Sequence, residues 1–260
     1  SMQIPVYQVD AFASRPFEGN PAAVCPLERW LPDELMQSIA AENNLSETAF
    51  FVSVDDGYAI RWFTPVAEVD LCGHATLAAA WVLFHRLGFR PGSVRFDSRS
   101  GPLSVARDGD RLVLDFPAQP PRPCAAPAGL ASALGAQPTE CLEHIDLLAV
   151  FDDVQTIRDL RPRFDRLAGL DYRGIIATAP GVEHDFVSRF FAPAVGVDED
   201  PVTGSAHTKL APYWAARLGR NRLSARQVSD RGGELECTVR GERVMIAGRA
   251  APFMEGVLMI

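Results

Sequence analysis

The longest apolar stretch of the chain, residues 74–87, reads His-Ala-Thr-Leu-Ala-Ala-Ala-Trp-Val-Leu-Phe-His-Arg-Leu. Alanine and leucine are strong helix formers, and no helix breaker occurs before Gly88. Apolar side chains occupy nearly every position rather than one stripe, which predicts a helix buried on most sides. The stretch is too short to span a bilayer. Because it begins at Gly73-His74, we expect its free N–H groups and positive dipole end to form an anion site.

The same pattern occurs a second time at an offset of 131 residues, which relates Gly73 to Gly204 and Gly88 to Gly219 without a gap. This offset is about half of the chain. It predicts two similar halves, each a sheet wrapped on one central helix. Two helix starts that face each other across a cleft would form one anion-binding site between domains, where ligand sites often lie.

The remaining pattern predicts one more helix and a series of short strands. Leu31, Leu35 and Ile39 lie at helical spacing, which predicts a helix over 31–44. Pro212 inside the second central helix predicts a kink or an interruption. We expect a loop at 11–23, helical material at 153–167, and strands at 4–9, 48–54, 58–63, 94–96, 103–106, 111–116, 146–151, 174–179 and 187–191.

A proline-rich stretch divides the chain. Five prolines lie between residues 117 and 127, where hydrophobic periodicity is weak. Such a composition predicts a linker over 118–127. The N-terminal domain is then expected over 1–117 and the C-terminal domain over 128–249.

Composition narrows the function classes. The formal net charge of −8 argues against nucleic acid or an anionic membrane surface as a partner. The five cysteines are odd in number and scattered, which argues against a disulfide framework and a zinc finger and indicates a reducing, cytoplasmic compartment. No signal peptide or membrane-spanning run is visible. No Walker, GxGxxG or HExxH motif is present, so neither a nucleotide cofactor nor a metal is predicted.

Four short blocks then occur in order along essentially the whole chain. They read Asn-Pro-Ala-Ala-Val at 20–24, Ser-Glu-Thr-Ala-Phe at 46–50, Cys-Gly-His-Ala-Thr at 72–76 and Asp-Glu-Asp-Pro-Val-Thr-Gly-Ser-Ala at 198–206. Together these blocks resemble the PhzF family of phenazine-biosynthesis-like proteins. The resemblance implies an α/β (α+β) diaminopimelate-epimerase-like fold of two pseudo-symmetric domains, each a curved, mostly antiparallel sheet around a central helix. It also implies that a last strand within 250–260 completes the N-terminal domain.

The resemblance assigns roles by matching position. Glu47 corresponds to the general acid/base, and His74, Asp200 and Ser205 correspond to its catalytic partners in the cleft. Substrate contacts are expected from five residues in these blocks, namely Asn20, Gly73, Ala75, Thr203 and Gly204. The implied enzyme is a homodimer that isomerises a small carboxylate-bearing substrate without a cofactor or metal.

The residues around Glu47 also support acid/base chemistry independently of the resemblance. Moving a proton on a carbon next to a carbonyl or conjugated system needs a group that both takes and returns it. A carboxylate that burial has made less acidic does this near neutral pH. Glu47 lies between a predicted helix end and the apolar run Ala-Phe-Phe-Val at 49–52, so desolvation is expected. Without the family match, Glu47 would read as a solvated loop residue.

Other functions stay open at this point. A two-thiol racemase is disfavoured, because only Cys72 lies near a helix start and the matching stretch 201–203 has no thiol. A hydrolase using Cys72 and His74 is less favoured, since residues two apart on a helix point to different sides. Besides the isomerase and the hydrolase, a third class of function is a non-catalytic protein that binds a small molecule or another protein. His207 is interpreted as structural.

Overall fold

The computed structural model describes residues 1–260. Its strands are, in chain order, β1 (Gln3–Ala11), β2 (Asn20–Leu27), β3 (Glu47–Val54), β4 (Gly57–Phe63), β5 (Glu68–Val69), β6 (Ser93–Ser98), β7 (Gly101–Asp108), β8 (Arg111–Pro117), β9 (Arg122–Pro123), β10 (Glu140–Glu143), β11 (Leu147–Val150), β12 (Ile175–Pro180), β13 (Phe186–Ala192), β14 (Val197–Asp200), β15 (Arg222–Gln227), β16 (Gly233–Arg240), β17 (Arg243–Gly248) and β18 (Ala250–Met259).

Six α-helices and one short 3₁₀ helix (Pro193–Val195) accompany these strands. The α-helices are α1 (Asp33–Asn43), α2 (Gly73–His85), α3 (Leu130–Leu134), α4 (Val154–Asp159), α5 (Phe164–Leu167) and α6 (Gly204–Leu218). None of them is both long and apolar enough to cross a membrane.

The chain forms two compact units, and the first comprises Ser1–Asp115 and Ala247–Ile260. Its sheet runs β18-β1-β2-β3-β4-β6-β7-β8, with β2–β3 and β4–β6 parallel and the other pairs antiparallel. β18 pairs with β1 along the length of both strands, from Gln3 opposite Met259 to Ala11 opposite Ala250. The end of the chain therefore completes the sheet that its beginning opens.

The central helix of the first unit is α2, which packs against β1, β2 and β3. Every residue from Gly73 to Phe84 is buried. Gly88, at φ +71°, follows the helix, and the N–H of Phe89 donates to the carbonyl of Leu83. The helix itself ends at His85, and this left-handed glycine lies in the turn that follows it. The predicted burial on most sides is confirmed. A helix with apolar side chains on every side is stable only where other parts of the protein cover it.

Alternation along β3 divides its side chains between two faces. Phe50 belongs to a core cluster with Met36 and Ile39 of α1, and Thr48 accepts a hydrogen bond from the Asn43 side chain. Successive side chains of a strand point to opposite faces. The odd-numbered positions of β3, which begin with Glu47, therefore face α2.

The second unit, Phe116–Ile246, repeats this order of elements. The strands β11-β12-β13-β15-β16 have the same pairing directions as β2-β3-β4-β6-β7, with β11–β12 and β13–β15 parallel. α6 follows β14 as α2 follows β5, and it packs against β15 and β16. The helices begin at Gly73 and Gly204, the two residues that the sequence repeat aligns.

Pro212 lies inside α6, which nevertheless runs unbroken from Gly204 to Leu218. Of the two predicted outcomes, a kink or an interruption, the interruption is therefore wrong. A proline removes the hydrogen bond to the carbonyl four residues earlier, here that of Thr208. The backbone N–H of Gln119 donates to this carbonyl at 2.9 Å and supplies the missing bond. The prediction of an unbroken loop at 11–23 is also wrong, because β2 begins at Asn20.

Candidate active site

Glu47 is the first residue of β3 and lies opposite Ala22 of β2 in the parallel register. Its position on the α2 face brings its carboxylate to the start of that helix. Oε2 of Glu47 is 3.1 Å from Nε2 of His74, and the two side chains are 18% and 5% exposed. Glu47 is therefore not a solvated loop residue. Both facing atoms are buried, and neither makes an aligned hydrogen bond.

Cys72 contacts the other ring nitrogen of the same histidine. Its Sγ is 3.3 Å from Nδ1 of His74. Two residues that far apart would point to different sides if both lay on one helix, but Cys72 lies outside α2. Cys72 precedes α2 with extended backbone (φ −148°, ψ 106°), so it does not follow helical geometry and its side chain reaches the first turn. Cys72, His74 and Glu47 thus form a buried chain of thiol, imidazole and carboxylate.

Burial and charge act on the groups of this chain in different ways. Burial, aided by the negative charge of Glu47, raises the pKa of Cys72 to about 11. Burial lowers the pKa of His74, but the charge that Cys72 carries once it is ionised and the charge of the Glu47 carboxylate outweigh that effect and hold this pKa well above its ordinary value. Because Cys72 is a neutral thiol at pH 7, the Glu47 carboxylate is the charge that favours a protonated His74 there.

The remaining predicted residues of the first unit surround this chain. Asn20 is fully buried at the start of β2, and its side-chain oxygen accepts a hydrogen bond from the Ser46 hydroxyl at 3.0 Å. Gly73 and Ala75 belong to the first turn of α2, whose N–H groups have no carbonyl partner within the helix. Asn20 thereby fixes the residue that precedes Glu47.

The start of α6 carries the predicted residues of the second unit. The hydroxyl of Thr203 donates to Oδ2 of Asp200 at 2.5 Å. Gln227, fully buried on β15, accepts from the N–H of Thr203 and donates to the carbonyl of Asp200, both at 2.8 Å. Sequence reasoning missed Gln227, which carries no motif and lies more than twenty residues downstream. It holds the turn from Asp200 to Gly204 in shape.

Ser205 lies beside a buried ionic cluster that the sequence did not indicate. Asp146 accepts bonds from Nε and Nη2 of Arg173 at 2.9 and 2.6 Å, and from Nζ of Lys209 at 2.9 Å. Nη2 of Arg173 is also 3.4 Å from Oγ of Ser205. Two cations therefore share one carboxylate, and their excess positive charge lies next to the start of α6.

His207 fits its structural interpretation. Nδ1 is 2.7 Å from the carbonyl of Thr203, which makes it the donor and the protonated nitrogen of a neutral ring. Burial lowers the pKa of His207 to about 4. This histidine is neutral at pH 7 and braces the first turn of α6.

A metal ion fits the thiol-imidazole-carboxylate chain poorly. The donor atoms of Glu47, Cys72 and His74 lie within 4.8 Å of one another. However, the thiol meets Nδ1 and the carboxylate meets Nε2, and one ion uses only one of these nitrogens. A tetrahedral zinc ion also needs its donors about 3.5 Å apart. The observed contacts suit the sharing of protons.

Comparison with known proteins identifies the family of the chain. A family model described as phenazine biosynthesis-like protein, PhzC-PhzF, matches residues 9–256. The chain belongs to the PhzC-PhzF family. It is 61% identical over 257 residues to an uncharacterized isomerase of Pseudomonas aeruginosa, covering 99% of both chains.

Solved structures extend the comparison to the fold. A PhzF-family protein of Enterococcus faecalis is 48% identical, with a TM-score of 0.98 over 100% of both chains. A Pseudomonas aeruginosa protein described as a predicted epimerase is 21% identical, with a TM-score of 0.72 over 99% of both chains, and shares the fold. The predicted family and fold class are confirmed. The chain is an isomerase whose reaction its relatives' names leave open.

Proposed function

We propose that this PhzC-PhzF family member is a cofactor-independent isomerase that moves a proton on a small carboxylate-bearing substrate, with Glu47 as the general acid/base. One observation carries the proposal. Oε2 of Glu47 is buried, makes no aligned hydrogen bond, and lies 3.1 Å from Nε2 of a buried histidine. A buried carboxylate oxygen whose close partner is a single imidazole is costly to keep, which is typical of a group retained for chemistry.

In this reaction Glu47 takes a proton from a carbon next to a carbonyl or conjugated group and returns it to another position on the same face of the substrate. His74 lies against the carboxylate and stabilises its charge before the proton arrives. Asp200 has a supporting role in the proposal, as a charged or relay group fixed by Thr203 and Gln227.

The substrate carboxylate is assigned to the helix starts. The first turn of α6 offers free N–H groups, and Ser205 adds a hydroxyl that Arg173 approaches at 3.4 Å. The first turn of α2, with Gly73 and Ala75, offers the same kind of donors. The equivalent positions of the two helix starts in the sequence repeat support the proposal that each of them can bind an anion.

Solvent deuterium exchange tests the assignment of Glu47. The protein is incubated in D₂O with a panel of small unsaturated hydroxy-carboxylates and amino acids, and deuterium at carbon is followed by NMR. Glu47→Gln keeps the shape of the side chain but cannot carry a proton, so exchange should fall by about 10²–10⁴-fold. Asp200→Asn and His74→Ala should slow exchange less. Glu42→Gln, an exposed residue of α1, is the matched control.

Exchange in Glu47→Gln at the wild-type rate would exclude Glu47 as the base. Exchange with no member of the panel, together with tight binding of one of them, would favour a non-catalytic binding protein.

The contact between Cys72 and His74 favours one rival, a thiol hydrolase. Its geometry resembles the nucleophile and base of such enzymes. However, the thiol is 7% exposed, and burial raises its pKa to about 11, so little thiolate exists at neutral pH. Iodoacetamide separates the two functions, because a hydrolase loses activity on alkylation and the buried thiol proposed here reacts slowly.

A further inference from the structure

Cys72 has a contact that the acid/base assignment does not use. Its Sγ lies 3.3 Å from Nδ1 of His74, on the side of the ring away from Glu47. The imidazole is 5% exposed, so solvent cannot replace the thiol as a partner of Nδ1. The other cysteines of this protein provide no similar contact: Cys25, for example, lies in the apolar cluster between β2 and α1.

Nδ1 of His74 must find a partner in two protonation states. While Glu47 is a carboxylate, His74 next to it is favoured as an imidazolium, and Nδ1 then carries a hydrogen. When the pH rises above the pKa of His74, the ring gives up one proton to the solvent and becomes neutral. Because Nε2 is the nitrogen that faces Glu47, Nδ1 then becomes a bare acceptor.

A thiol can serve both states, since sulfur accepts a weak hydrogen bond and S–H donates one. We propose that Cys72 is a positioning residue whose thiol accepts from Nδ1–H of charged His74 and donates to Nδ1 of neutral His74. In both protonation states the ring thereby keeps Nε2 directed at Glu47. An alanine at this position leaves a buried ring nitrogen without a partner, which favours the neutral ring.

This inference rests on the proposed function for its purpose, but its test does not need turnover. The ¹⁵N shifts of both His74 ring nitrogens are followed by NMR from pH 5 to pH 10 in the full chain, with His74→Gln supplying the assignment. In Cys72→Ala we expect the midpoint of His74 to fall by about one pH unit. In Cys72→Ser it should stay close to the wild-type value, because a hydroxyl also donates and accepts.

Controls separate positioning from general damage. Cys25→Ala removes a buried thiol of the same unit that contacts no histidine, and should leave the His74 midpoint unchanged. Thermal melts of each variant show whether it folds. If a member of the exchange panel is a substrate, the pH dependence of its deuterium exchange can also be measured. In Cys72→Ala this pH profile should shift together with the titration midpoint of His74. In Cys72→Ser it should match the wild-type profile.

Two results would overturn the inference. One is a titration midpoint of His74, and ¹⁵N shifts of both its ring nitrogens, that are the same in Cys72→Ala and in wild type. The other is a ring that stays charged from pH 5 to pH 10 in both proteins, because then no alternation exists for the thiol to follow. If the midpoint depends on Cys72 while Glu47→Gln exchanges at the wild-type rate, the proposed function fails and the contact stands.

Discussion

Nε2 of His74 and Oε2 of Glu47 lie 3.1 Å apart, although they belong to a helix and to a strand that are separate along the chain. The contact exists because Glu47 begins β3 on the face that α2 covers, while His74 occupies the first turn of that helix. A strand start and a helix start thus bring one carboxylate and one imidazole into the same buried place.

Anion binding at the start of α6 should depend on Ser205. In Ser205→Asp the new carboxylate repels an incoming anion and pairs with Arg173, whose Nη2 is 3.4 Å from the present hydroxyl. Binding of sulfate and malonate, measured by calorimetry, should weaken at least about tenfold. Ser53→Asp, at an exposed position of β3, should leave both affinities unchanged. Unchanged affinity in Ser205→Asp would remove this helix start from the proposed site.

The ionic cluster behind Ser205 should be sensitive to the loss of its carboxylate. Asp146→Asn leaves the ammonium of Lys209, 2% exposed, without its counter-charge. Breaking a buried pair in this way costs about 3–5 kcal/mol. Urea unfolding should show this loss in Asp146→Asn and a partial recovery in the double variant Asp146→Asn/Lys209→Met. The exposed change Asp152→Asn should have little effect, and an equally small effect of Asp146→Asn would contradict the prediction.

His207 should make the protein less stable in acid. Its pKa falls from 6.5 to about 4 on folding, because burial disfavours the charged ring. Between these values the unfolded chain binds more protons, so stability rises with pH from about 4 to 6.5. The shift corresponds to about 3 kcal/mol over this range.

His207→Asn, which retains a side-chain donor for the Thr203 carbonyl, tests the effect of His207. Between pH 4 and pH 7 the free energy of unfolding of the variant should change by about 3 kcal/mol less than that of wild type. The comparison uses the change with pH within each protein, so a constant loss of stability in the variant does not matter. Parallel curves for the two proteins would show that His207 is charged in the folded state or not the group responsible.

Neither a metal nor a disulfide should be needed. Deuterium exchange and thermal stability should survive dialysis against EDTA, because the thiol and the carboxylate meet different nitrogens of His74. The five cysteines are free, so intact mass should not rise by two hydrogens on reduction. If EDTA abolished the activity and zinc restored it, the thiol-imidazole-carboxylate chain would be identified as a metal site.

The sequence by itself determined the two central helices and the family. The start at Gly73 could be read from the chain because an all-round apolar run flanked by glycine is a local signal, and the start at Gly204 followed from the repeat. The topological likeness of the two halves followed from the gap-free repeat. The candidate acid/base residue could be named only because short blocks around it match a family.

Tertiary structure decided the contacts that give those residues their chemistry. The exposure of Glu47 depends on which face of β3 is covered, and the contact of Cys72 with His74 depends on extended backbone just before α2. Gln227, Arg173 and Lys209 carry no motif, since each acts on a partner that is distant in the chain. Pro212 gave a misleading local signal, because its missing hydrogen bond is supplied by Gln119 from another segment. Local patterns report what neighbours along the chain prefer, whereas burial and hydrogen-bond partners are set by packing between segments.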